Sequence, residues 1–136
     1  MAVGGITRER PSSTPHRAGH CALLEVLANA GELAGDYIII PIEITDELAI
    51  TTVSIEMLHP DWNRGEPTQQ TRNIGTEWVK SLRSAVLVVP SAIIPQEQNY
   101  VLNPSHPDFR EIRFGSPEPF YFDDRLQKRE GKRALR

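Results

Sequence analysis

A chain of 136 residues, 39% hydrophobic and 24% charged, carries enough apolar material to close one core and leaves little room for a second domain. Its net charge of −3 provides no basic face of the kind that holds nucleic acid or anionic membrane through charge alone. A single cysteine, Cys21, excludes an internal disulfide framework and makes a reducing compartment the default expectation.

Residues 1–20 are rich in Gly, Pro, Ser, Thr and Arg, with almost nothing to bury, and read as a tail or loop. "HCALLEVLANAGELAG" then sets Ala22, Val26, Asn29 and Ala30 along one stripe and Leu23, Leu24 and Leu27 along its neighbour. That is a short amphipathic helix, stopped by Gly31 or Gly35. "DYIIIPIEI" is a β-branched run interrupted by Pro41. Because proline cannot donate to a ladder, the run is either an edge strand or has Pro41 at a bulge.

"AITTVSI" (49–55) alternates apolar and hydroxyl residues and predicts a second strand, followed by the turn region "MLHPDWNRGEP". Ile74, Trp78 and Leu82 recur at helical spacing, which predicts a helix from about Gly75. "AVLVVPSAII" is the strand with the most buried character in the chain. "EIRFGSPEPFYFDDRL" predicts one or two aromatic-bearing strands around a Gly-Ser-Pro turn, and the last ten residues form a charged tail. Short helices and strands mix without strict βαβ alternation, so the fold class is α+β. The longest apolar runs, 37–42 and 85–90, are strand-sized, and residues 1–20 lack the apolar centre of a secretory signal. A soluble cytoplasmic protein is expected.

Several polar residues stand where chemistry is possible. Glu25 lies between leucines and a valine. It is either a helix-surface carboxylate or a carboxylate on the border of the apolar stripe, facing a cleft where it holds a ribose hydroxyl or a cationic centre. Ser91 follows Pro90, where the ladder stops. It either caps the next turn or sits at a strand end of the sort where ligands collect. Asn99 and Asn103 flank "YVL" and either clamp a loop or contribute to a site. His106, between Ser105 and Pro107, reads as a loop brace, and Asp123, Asp124 and Arg125 read as an ion-pair anchor for the last strand. His16, His20, His59 and His106 have no metal-ligand spacing, so no metal is expected. Neither Gly-rich phosphate loop nor a G-x-S-x-G nucleophile turn is present.

"ALLEVLANAGEL" (22–33), "GTEWVKSLRSAVLVVPSAIIPQEQNYVLNPSHPDF" (75–109) and "FYFDDRL" (120–126) resemble the RES domain, a family named for Arg, Glu and Ser positions. The resemblance covers residues 22 to about 126. It implies an ADP-ribosyltransferase-like α+β fold with a cleft for NAD, and membership among the toxins of toxin–antitoxin pairs. Family members degrade NAD by hydrolysis or phosphorolysis, and at least one branch transfers ADP-ribose to a protein. Their cognate antitoxin is an Xre-type helix-turn-helix protein whose C-terminal part blocks the cleft. On this resemblance Glu25 matches the family glutamate, Ser91 the serine, and Asn99 and Asn103 the asparagine loop. Glu25 and Ser91 are then catalytic candidates, and Ser91, Asn99 and Asn103 candidates for holding NAD.

The first twenty residues depart from the family pattern, which has an Arg beside an aromatic residue and then a strand leading to the glutamate helix. "RERPSSTPHRAGH" has no tyrosine, and Arg8, Arg10 and Arg17 lack the family context. The expected organisation is an atypical segment 1–20, a RES-like domain 21–126 and a tail 127–136. One hypothesis for such a start is a one-base frame difference upstream of Ala22, under which the chain would be a truncated product. Two alternatives to NAD degradation follow: an impaired remnant that keeps only antitoxin binding, or a protein ADP-ribosyltransferase.

Overall fold

The structure is a computed structural model that describes Val3–Gly4, residues 36–123 and Arg125. Its elements are β1 (Val3–Gly4), β2 (Tyr37–Ile39), β3 (Ile42–Glu43), β4 (Ile50–Thr52), α1 (Gln69–Ser81), β5 (Val86–Pro90), β6 (Gln98–Leu102), β7 (Arg113–Phe114) and β8 (Glu118–Phe120). Two 3-10 turns, Ile55–Met57 and Pro107–Glu111, join them. One helix packed with several sheets bears out the α+β class. The short helix expected within "HCALLEVLANAGELAG" lies outside the described residues.

The main sheet has the order β1-β6-β5-β4. β4 and β5 are parallel, with α1 as the crossover between them, and β5 and β6 form an antiparallel hairpin in the register Val86↔Leu102 to Pro90↔Gln98. Val3–Gly4, within the stretch read as a tail, pairs with Val101 and Tyr100.

β5 is buried on both faces, which explains why it reads as a continuous apolar run and not as an alternation. Val86 and Val88 join Tyr100, Leu102, Ile44, Leu48 and Ile112 on one side. Leu87 faces Val53 and Trp78 on the other, where α1 lies.

α1 begins six residues before the expected start. Thr68 caps it by accepting the Thr71 amide on its hydroxyl (3.2 Å). The first turn is wholly polar, so apolar spacing could not reveal it. The helix ends at Leu82, which adopts φ +49°, a left-handed conformation more usual for glycine. The second strand is shorter than expected, at Ile50–Thr52.

The run around Pro41 divides into β2 and β3, which pair with β8 and β7. Between the Ile39–Glu118 and Ile42–Phe114 pairs, two residues (Ile40, Pro41) oppose three (115–117), so the ladder carries a bulge opposite Pro41. The Pro41 carbonyl accepts the Gly115 amide at 2.7 Å. A Cβ at Gly115 would stand 3.1 Å from the Pro41 Cβ, so the close approach of the two strands favours glycine. The Gly-Ser-Pro turn thus separates two strands, as expected. Tyr37, Phe120 and Phe122 close this ribbon through edge-on ring contacts at 4.9 Å.

Candidate functional site

Ser91 stands one residue beyond β5. Its amide donates to the Glu97 carbonyl at 2.9 Å, which closes a seven-residue loop. Its hydroxyl accepts the amides of Ile93 and Ile94, each at 3.2 Å. The side chain is 0% exposed. This is the turn-capping role that serine chemistry favours, and it fixes the first turn of the loop. With no accessible surface, the hydroxyl meets a ligand only if the loop or its covering moves.

Asn99 sits opposite Val89 in the ladder, on the same face as Ser91 and diagonal to it, the relation in which side chains across two strands still reach one another. Both residues are engaged with partners. Asn103 is elsewhere. Its amide donates to Ala85 at 2.9 Å, at the other end of the hairpin. Its Oδ1 accepts the Ser105 amide at 3.0 Å and its carbonyl accepts the His106 amide at 3.1 Å. These are loop-clamping bonds. The Nδ2 of this buried side chain has no hydrogen-bond partner. Glu25 lies outside the described residues, as do Arg8, Arg10 and Arg17.

His106 acts as the expected brace. Its Nδ1 accepts the Asp108 amide at 3.0 Å, which leaves Nε2–H to donate to the Leu82 carbonyl at 2.9 Å. One imidazole therefore caps the 3-10 turn at 107–111 and the left-handed end of α1. The Asp123–Arg125 pair differs from the expected anchor. It forms within two residues at 2.8 Å, is exposed, and among the described residues ties the strand to no distant element. The Arg125 guanidinium holds the Asp123 carboxyl below its usual range. Asp124 lies outside the described residues.

Two features escaped sequence reasoning. The first is Ser84, buried at the α1–β5 junction. Its hydroxyl donates to the Val86 carbonyl (2.8 Å) and accepts the Trp78 indole N–H (3.0 Å), with Thr51 Oγ1 at 2.7 Å as a third partner. The second is a cavity of about 210 Å3 between α1 and the sheet, walled by Trp62, Gly75, Trp78, Leu87, Val89 and Pro90. Its walls are almost wholly apolar, and a glycine at the helix–sheet interface was the one sequence signal for it. The cavity meets the loop end of β5, since Pro90 precedes Ser91. Asn63, beside Trp62, donates its side-chain amide to the Ala92 carbonyl at 3.5 Å. Among the described residues no three His, Cys, Asp or Glu side chains come together to hold a metal, and no helix is long and apolar enough to cross a membrane.

The family model described as "RES domain" matches residues 19–123. The chain belongs to the RES domain family. A RES protein of Photorhabdus laumondii named "Toxin Res" is 41% identical over 110 residues, 79% of this chain and 70% of that protein. Another "Toxin Res", from Yersinia enterocolitica, is 36% identical over 114 residues, covering 78% of this chain and 71% of its own length. A Sphingobium protein named "Prs ADP-ribosylating toxin" is 31% identical over 115 residues, covering 81% and 70%. The RES match contains Glu25, Ser91, Asn99 and Asn103, and the sequence resemblance is borne out as a family.

Proposed function

We propose that this RES domain is a toxin that degrades NAD by cleaving the nicotinamide–ribose bond, with water or phosphate as acceptor. The observation that carries the reading is the 31% identity to a relative named an ADP-ribosylating toxin. ADP-ribosylation breaks the same bond of NAD, so hydrolysis, phosphorolysis and transfer differ only in the acceptor.

In the proposed step nicotinamide leaves with the electron pair of the C1–N bond, and its ring nitrogen loses its positive charge. The ribose carbon passes through an oxocarbenium-like centre, as in glycoside cleavage. The carboxylate of Glu25 stabilises that positive charge or holds the ribose hydroxyls. An acceptor oxygen then bonds to C1 and gives its proton to solvent. Ser91 and Asn99, on one face at the loop end of the β5–β6 hairpin, are the proposed contacts or positioning groups for NAD. The two amides on its hydroxyl make Ser91 a positioning residue in the first instance. Asn103 contributes by holding the loop at the far end. The proposed partner is the Xre-type helix-turn-helix antitoxin that the family resemblance implies, acting with the toxin in the cytoplasm.

NAD labelled in its adenylate half tests the reading. Label recovered as free ADP-ribose or its phosphate supports degradation. Label bound to a protein supports the transferase reading, which the Sphingobium relative's name favours as the second choice. Label remaining in NAD, with antitoxin binding intact, supports a remnant that only binds its partner.

A further inference from the structure

The cavity between α1 and the sheet has an unusual wall. Gly75 is the seventh residue of a 13-residue helix, and glycine is among the least favourable residues in a helix interior. Close packing does not demand it. A Cβ built at Gly75 would meet nothing within 4 Å, although the residue lines the cavity. The chain therefore forgoes helix stability on the one face where a side chain would occupy the empty space. A break in local preference with no packing gain points to use of that space.

We propose that this cavity is a binding pocket for one flat aromatic ring, held open by Gly75 and walled by Trp62, and that the ring is the nicotinamide of NAD. The identity of the ligand rests on the NAD-consuming reading, but the pocket does not. Its volume of about 210 Å3 suits a single ring, since apolar cavities of roughly 150 Å3 admit benzene. Trp62 and Trp78, the chain's two tryptophans, both line it. In NAD the nicotinamide ring is cationic, and an indole face attracts a cation. Cleavage makes the ring neutral, which weakens the hold on the product. An adenine carries polar atoms around both of its rings, whereas those of nicotinamide lie in one carboxamide that can stay at the opening while the ring enters. The Thr71 hydroxyl, which also lines the cavity, already donates to the Thr68 carbonyl at 2.8 Å. The position fits as well. Pro90 lines the cavity and precedes Ser91 in the chain, so a ring entering beside Pro90 leaves its ribose near the start of the loop that Ser91 caps.

The test uses tryptophan emission of the full chain, which reports only Trp62 and Trp78, during titration with nicotinamide. The expected result is a saturable change that moves at least about tenfold to higher concentration in Gly75→Leu, whose side chain fills the space. Gly75→Ala, the milder variant, is expected to raise the thermal midpoint by roughly 4 °C while weakening nicotinamide binding. A stability gain with a binding loss is the signature of a pocket kept open at the expense of the helix. No saturable change in the wild-type chain, or unaltered binding in both variants, overturns the pocket. Equal affinity for adenosine overturns the nicotinamide assignment. NAD consumption measured on the same samples separates the two claims. Consumption without nicotinamide binding refutes the pocket alone, and binding without consumption refutes the activity and leaves the pocket standing.

Discussion

Ser91 and Asn103 stand at opposite ends of one hairpin, on the order of 20 Å apart along β5. Only twelve residues separate them in sequence, yet the Ser91 amide bonds beyond the Pro90–Gln98 pair and the Asn103 amide beyond the Val86–Leu102 pair. Two side chains so placed do not touch the same end of one ligand. Asn103→Ala is therefore expected to lower stability by about 1 kcal/mol, through the unpaired Ser105 amide, and to leave KM for NAD unchanged. Urea denaturation and NAD kinetics on the same variant check this. A large rise in KM at unchanged stability would place Asn103 at the ligand instead.

Ser91→Ala removes the acceptor of two amides at once. The expected cost is about 1–3 kcal/mol, with faster hydrogen exchange at Ile93 and Ile94. NAD consumption should fall together with that protection, because the hydroxyl acts through the loop it caps. Lost turnover with the loop amides still protected would show direct contact between Ser91 and substrate.

The Ser84 hydroxyl is the polar joint between α1, β4 and β5. Ser84→Ala leaves the buried indole N–H of Trp78 without a partner and frees one bond of Thr51. A loss of about 2 kcal/mol is expected, with Thr51→Val costing less because the Trp78–Ser84 bond survives. Chemical denaturation of the two variants gives the order, and the reverse order would contradict it.

Gly115→Ala forces a methyl group against the Pro41 ring, at 3.1–3.4 Å from its carbons. About 1 kcal/mol of destabilisation is expected from the crowding. Replacing Pro41 by Ala in the same chain should recover part of the loss, so the pair is non-additive in a double-mutant cycle. Strict additivity would show that the bulge does not bring these residues together.

Legibility in the sequence followed physical cause. β5 was readable because a strand covered on both faces must be apolar throughout, as Val86, Leu87 and Val88 are. Pro41 signalled a break because it lacks a donor, although the extra residue proved to lie on the opposing strand. The first turn of α1 left no apolar trace, and only Thr68, a capping residue, marked its start. The left-handed Leu82 was unreadable because its stop is set by His106, twenty-four residues away, which bonds its carbonyl. Of the site, Ser91 at a strand end was legible as a turn cap. Its sequestration was not, since burial depends on what packs over the loop. Asn103 and Ser91, grouped by the family resemblance, lie at opposite ends of the hairpin, a separation set by strand pairing that sequence proximity hides.

In the proposed reaction this chain consumes NAD and Glu25 supplies the stabilising charge. NAD loss and nicotinamide release should be measured with the purified full chain and its Glu25→Ala variant, each shown to be folded. The expected result is consumption by the wild-type chain and a fall of at least about 100-fold in the variant, the scale of removing one transition-state-stabilising group. A folded wild-type chain that leaves NAD intact, or a Glu25→Ala variant that consumes it at the wild-type rate, would contradict it.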